Sequence, residues 1–267
     1  MNKKITIPLI IVAIVVVAAT AFFLGRSSDE PNNDVTSPSS APQEEASAPD
    51  ITEQPAEDKG FGSPTTDFLG RKVTVPNNGV GVPLGEPRTG AGEVCESPRT
   101  PAQNIEMQKT NPTTVWSKNY GPGKVTEGIP ISYSHTVQGA SLAAWNYYAV
   151  MYRNDESTHW LVDNRFDMSQ SDKEQLHDEI REAGGAVDPA IEQIPPVAYR
   201  VTSCSDDYIV FDFAKNSRPS NGDSSQDKYQ SLRLAVVWQD GDWNLQLDAL
   251  RGSQSSVDIE GWTQWTF

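Results

Sequence analysis

Residues 134–153 read SHTVQGASLAAWNYYAVMYR, and the spacing of their apolar side chains sets the expected fold. Ala140, Ala143, Ala144, Tyr147, Tyr148 and Met151 recur at three- and four-residue intervals, and Leu142, Trp145 and Val150 extend the apolar surface nearly all round. Ser134 or Thr136 supplies an N-cap, and no proline interrupts the run. A helix apolar on most faces must be wrapped by other elements. The small alanines let strands come close, and the strand-rich C-terminal third is the expected wrapper.

That third alternates at the two-residue period of half-buried strands. Residues 198–203 and 208–214 form a pair around Asp206-Asp207, and 232–239 and 243–250 form a hairpin joined by Asp240-Gly241-Asp242. Trp238 and Trp243 flank that turn, where they pack across it. The tail at 261–267 alternates aromatic residues and is expected to fold back on the domain. Between the central helix and the strands, 155–166 predicts a short helix. Ser171 and Glu174 then mark a capping box for another helix that ends at Gly184-Gly185. Helices first and an antiparallel meander after predict an α+β domain with helices on one face of a curved sheet.

Upstream, the composition changes. The 267 residues carry a formal net charge of −15 and are 37% hydrophobic, a balance that points to a long segment outside any core. Residues 1–4 hold Lys3 and Lys4, and 5–24 run without a charge for roughly 30 Å of helix, the thickness of a bilayer core. Ala19-Thr20-Ala21 offers a signal-peptidase site, but the apolar run continues through Phe22, Phe23 and Leu24, which favours a retained anchor. The lysines place residues 1–4 in the cytoplasm and the remainder outside it. Residues 25–60 read as a disordered acidic Pro/Ser-rich tether. Residues 61–111 read as an extended segment with a strand candidate at 72–75 and a turn at Asn77-Asn78-Gly79. This segment docks either on its own domain or on a partner. The compact domain is expected at 112–267. Cys95 and Cys204, an even pair in an extracytoplasmic chain, predict one disulfide.

The order of elements resembles the nuclear transport factor 2-like cone, in which an opening helix lies in the concavity of a bent sheet. The runs GIPISYSHTVQGASLAAWNYY (128–148) and VVWQDGDWNLQL (236–247) resemble an uncharacterised family of actinobacterial membrane-anchored envelope proteins that travel with conjugative elements. An anchor, a tether and a cone domain outside the membrane are similar to bitopic subunits of conjugation and type IV secretion machines. The resemblance implies a scaffold with protein partners rather than an enzyme.

Motifs that would carry chemistry are incomplete. The acidic balance repels phosphate backbones, so no nucleic-acid partner is expected. Gly139-Ala140-Ser141-Leu142-Ala143, beside His135, resembles a hydrolase elbow but lacks the last glycine and lies within a helix. Gly123-Lys124 lacks the upstream glycine of a phosphate loop, and Gly79, Gly81 and Gly85 miss the dinucleotide spacing. His135, His159 and His177 have no metal-site spacing, and His177 reads as a solvated residue among charges. Asp240, Asp242 and Asn244 start like a calcium loop, but Leu245 stands where glycine is needed.

No catalytic, cofactor or metal residue is therefore expected. The expected function is a non-enzymatic, single-pass membrane protein of the cell envelope, a scaffold or accessory component of a conjugation-like or secretion assembly. The alternative is a cone-fold enzyme or small-ligand binder with a helix–sheet pocket, for which Tyr147 or Tyr148 with Asp163 or Asp212 would supply a proton-transfer pair. A peptide- or cell-wall-binding surface at Trp262 and Trp265 is a third reading.

Overall fold

The computed structural model describes residues 60–88, 94–96, 101–185, 194–216 and 229–267. The expected spanning helix at 5–24 and the tether up to 59 lie outside these residues. Among the described residues no helix is long and apolar enough to cross a membrane.

The central helix, α1 (Val137–Val150), buries all 14 of its residues. Of the two candidate caps, Thr136 is the one used: its backbone is extended and its hydroxyl accepts the Gly139 N–H at 3.0 Å. Gly139 is there for space. A Cβ on it would lie 2.1 Å from the Ser134 carbonyl oxygen, and that oxygen also accepts the Trp243 indole N–H at 2.9 Å. The glycine of the elbow-like motif thus serves packing at the helix entrance.

The wrapper is an antiparallel five-stranded sheet in the order β10-β9-β8-β7-β11. Its strands are β7 (Ala198–Ser205), β8 (Tyr208–Asn216), β9 (Tyr229–Gln239), β10 (Asp242–Val257) and β11 (Thr263–Gln264). Ile209, Phe211 and Phe213 of β8 point into the core with Leu234, Val236, Trp243 and Leu245. Each such large side chain contributes roughly 2 kcal/mol of hydrophobic stabilisation. Trp145 packs on Phe213 at 6.3 Å between ring centroids. The β9–β10 turn has positive φ at both Asp240 (52°) and Gly241 (80°), the mirror-image turn that matches strand twist. Trp238 pairs with Trp243 across it, the rings edge-to-face at 5.2 Å.

Two further helices pack outside α1. α2 (Glu156–Arg165) is held by a capping box between Asp155 and Thr158. α3 (Gln170–Ala183) ends on Gly184 at φ 61°. Its cap differs from the expected Ser171 with Glu174: Ser169 caps, accepting the Asp172 N–H at 3.2 Å. Both serines precede an acid by three residues. The earlier one takes the role because Phe166 makes a parallel bridge to Leu245 and Asp167 N–H bonds the Leu245 carbonyl at 3.0 Å, and the extended backbone that follows ends at Ser169 itself.

The chain before residue 112 joins the sheet structure. β1 (Thr65–Thr66), β2 (Lys72–Thr74), β3 (Ile105–Gln108) and β4 (Thr114–Ser117) form one four-stranded sheet in that order, with β2 and β3 parallel. The segment at 61–84 therefore pairs within its own chain, and the sheet runs across the expected domain start at 112. β3 falls in the 61–111 segment, beyond the one strand candidate read there at 72–75. Ile105 and Met107 are its buried positions, too few for a clear period. Gln108 ties Val82 to this sheet: its amide accepts the Val82 N–H and donates to the Val82 carbonyl, both at 2.8 Å. A short hairpin, β5 (Lys124–Thr126) with β6 (Ile129–Ile131), leads into α1.

The C-terminal tail folds back as expected, with β11 on β7 and Trp262 and Trp265 buried. This removes the exposed aromatic surface on which the third reading depended. Cys95, in the short 3-10 turn Val94–Glu96, is bonded to Cys204 of β7.

Candidate functional site

The interior between α1 and the sheet is filled by side chains. Trp145 and Tyr147 are fully buried and Tyr148 nearly so. Ser141 is buried inside the helix and donates to the Gln138 carbonyl at 2.8 Å, a back-bond within its own turn. His135 stacks on Trp238 at 4.2 Å with its Nε2 2.9 Å from the Asp206 carbonyl, so the two elbow-like residues have separate structural partners.

The tyrosine and aspartate candidates are dispersed. Tyr147 has Asp242 and Arg165 as its charged neighbours, and burial first, then Asp242, hold its phenol well above the ordinary value. Burial likewise raises Tyr148, whose hydroxyl accepts from Tyr152 at 3.3 Å. Asp242 is a structural acceptor: its carboxylate takes the N–H groups of Ser132 (2.7 Å), Tyr133 (3.1 Å) and Trp243 (3.0 Å). Burial pushes its pKa up, partly offset by those N–H donors and by Arg165. Asp212 lies on β8 between Arg200 of β7 and Arg233 of β9, which donate to it at 2.9 Å and 2.7 Å. Burial would raise this carboxyl, but the two guanidinium groups outweigh it and hold the pKa below the ordinary value. Arg200 also covers the Trp262 ring at 4.6 Å.

Asp163 has a different setting, on α2 with His159 four residues earlier. The antiparallel α3 brings His177 between them. His177 Nε2 lies 2.8 Å from Asp163 Oδ1, and His177 Nδ1 lies 2.6 Å from His159 Nδ1. The rings stack at 4.8 Å. Both histidines are half-buried, so His177 is a bridging residue rather than the solvated one expected.

With both imidazoles neutral, carboxylate Asp163 accepts from His177 Nε2–H, His177 Nδ1 accepts from His159 Nδ1–H, and His159 Nε2 is left with its lone pair. The signal in the sequence was the i,i+4 pair His159 and Asp163; the third member comes from another helix and had no spacing to reveal it.

His159 opens on a cleft of about 520 Å³ between the start of α2 and the β5–β6 turn. Trp160 and Asp163 line it from α2, Glu127 from the turn, and Arg153, Asp155, Glu156 and Ser157 complete the lining. The Arg153 cation is engaged there, with Nε 2.9 Å from Asp155 and Nη1 3.0 Å from the Gly128 carbonyl. Burial would raise Asp155, but Ser157, Arg153 and the Thr158 N–H more than offset it and lower its pKa. Among the described residues, no group of three or more His, Cys, Asp or Glu side chains is arranged to hold a metal ion. The two facing Nδ1 atoms are too close to leave room for a metal between them.

No curated protein and no solved structure matches this chain. One family model does match, over residues 74–266, from inside β2 to the last turn of the tail. The chain thus belongs to the family described as Domain of unknown function (DUF8175).

Proposed function

We propose that this chain is a non-enzymatic protein of the cell envelope, anchored through residues 5–24 with its domain outside the membrane. There it serves as a scaffold or accessory component of a conjugation-like or secretion assembly. The observation that carries the reading is the Cys95–Cys204 disulfide, because such bonds persist in oxidising compartments and a charge-free run precedes the domain. A core filled by Trp145 and Tyr148 supports a binding rather than a pocket-based role. A long helix beside an antiparallel meander is compatible with the nuclear transport factor 2-like cone, which we propose as its finer fold.

The test is photo-crosslinking in intact cells from the full-length chain, with the crosslinking residue at Phe61 or Phe267. These are the large hydrophobic side chains exposed among the described residues. Reproducible links to proteins of a membrane assembly are expected. Links only within the chain itself would overturn the reading.

A further inference from the structure

We propose that the cleft beside His159 receives an arginine side chain of a partner protein, an inference that rests on the partner-binding reading above. What carries it is the relay. With both rings neutral, Asp163 and His177 leave Nε2 of His159, a residue lining a cleft of about 520 Å³, as a lone-pair acceptor. The ligand must bring hydrogen-bond donors.

The other lining groups select the sign of its charge. The carboxylates of Glu127 and Glu156 have no hydrogen-bond or ion-pair partner among the described residues, and the Arg153 cation is already shared between Asp155 and Gly128. Trp160 adds an aromatic wall that already accommodates one guanidinium, Arg165 of this chain, at 5.7 Å. A planar guanidinium, with five donors in a fixed fork, can stack on an indole while bonding several separate acceptors; a compact ammonium cannot do both as well.

The probe is N-acetyl-arginine amide, titrated into the purified full chain in detergent. Neutral N-acetyl-citrulline amide and N-acetyl-lysine amide serve as controls. Binding is read from the ring-nitrogen resonances of His159 and the indole resonance of Trp160. Millimolar binding of the arginine probe is expected, with the lysine probe weaker and the citrulline probe silent. Glu127→Gln with Glu156→Gln should weaken it by about fivefold, and His159→Phe should weaken it while leaving the fold intact by circular dichroism.

Equal responses to arginine and citrulline, or no response to arginine at about 50 mM, would overturn the proposal; lysine binding as tight as arginine would overturn the guanidinium assignment. The two readings fail separately. Arginine binding without partner crosslinks from Phe61 or Phe267 would remove the assembly reading, whereas crosslinks without arginine binding would remove only the cleft.

Discussion

The side-chain amide of Asn146 pairs with both backbone groups of Val115, accepting its N–H and donating to its carbonyl, each at 2.8 Å. A residue in the middle of the central helix therefore completes the hydrogen bonding of an edge strand. Its remaining N–H donates to the Tyr133 hydroxyl at 2.9 Å. Replacing it with an isosteric hydrocarbon strands both Val115 groups in a dry interior and leaves the Tyr133 hydroxyl with its bond to the Pro130 carbonyl. Asn146→Leu should lower the unfolding free energy by about 3 kcal/mol, measured by urea denaturation. Asn146→Asp should do comparable damage, because a carboxylate cannot donate to the Val115 carbonyl.

Gly139→Ala tests the space at the helix entrance. In an open helix this exchange stabilises by about 1 kcal/mol. Here the new methyl group would sit 2.1 Å from the Ser134 carbonyl oxygen. A destabilisation of about 2 kcal/mol is expected instead, with a change in Trp243 fluorescence as its indole loses that acceptor.

Cys204→Ser should lower stability by about 5 kcal/mol, the loop-entropy value for a crosslink between residues 109 positions apart. Reductant should destabilise the wild-type chain by a similar amount and leave the variant unchanged. Thermal unfolding with and without reductant measures both.

Acid should weaken the Arg200–Asp212–Arg233 bridge. The folded pKa of Asp212 is depressed, so its contribution is present above the unfolded carboxyl value, about 3.9, and is lost as pH falls through the folded value. Arg200→Gln with Arg233→Gln should flatten this acid limb in urea midpoints taken from pH 2 to 6.

Lys215 produces the opposite limb. Its ammonium lies 5.7 Å over both Trp145 and Tyr148, and burial lowers its pKa to about 8. Between about 8 and the unfolded value near 10.4, the unfolded chain holds the extra proton, so stability should rise with pH across that window. Lys215→Met should abolish the rise in urea midpoints measured from pH 7 to 10.5.

Elements with a strong local signal were legible in the sequence. The all-round apolar character of 137–150 marked a wrapped helix, and Asp240-Gly241 marked the hairpin because few residues tolerate two successive positive φ angles. What could not be read depends on distant partners. Gln108 and Asn146 look like ordinary polar residues, yet each substitutes for a strand neighbour of Val82 or Val115. Asp163 was singled out for a tyrosine partner, but its true neighbour, His177, is set by the docking of α3 on α2. β3 is only four residues long and finds β2 in parallel register across a long connection, which no local period reports.

The buried state of α1 also sets an order of events during synthesis. The helix touches β4 and β6 before it in the chain, but β8, β9 and β10 after it. From the end of the helix to Leu245, on the order of 100 further residues must be made, about 5–20 s of ribosome travel. Through that interval Trp145, Tyr147 and Leu142 lack the completed five-stranded sheet. Burial of the helix is therefore tied to completion of the C-terminal half.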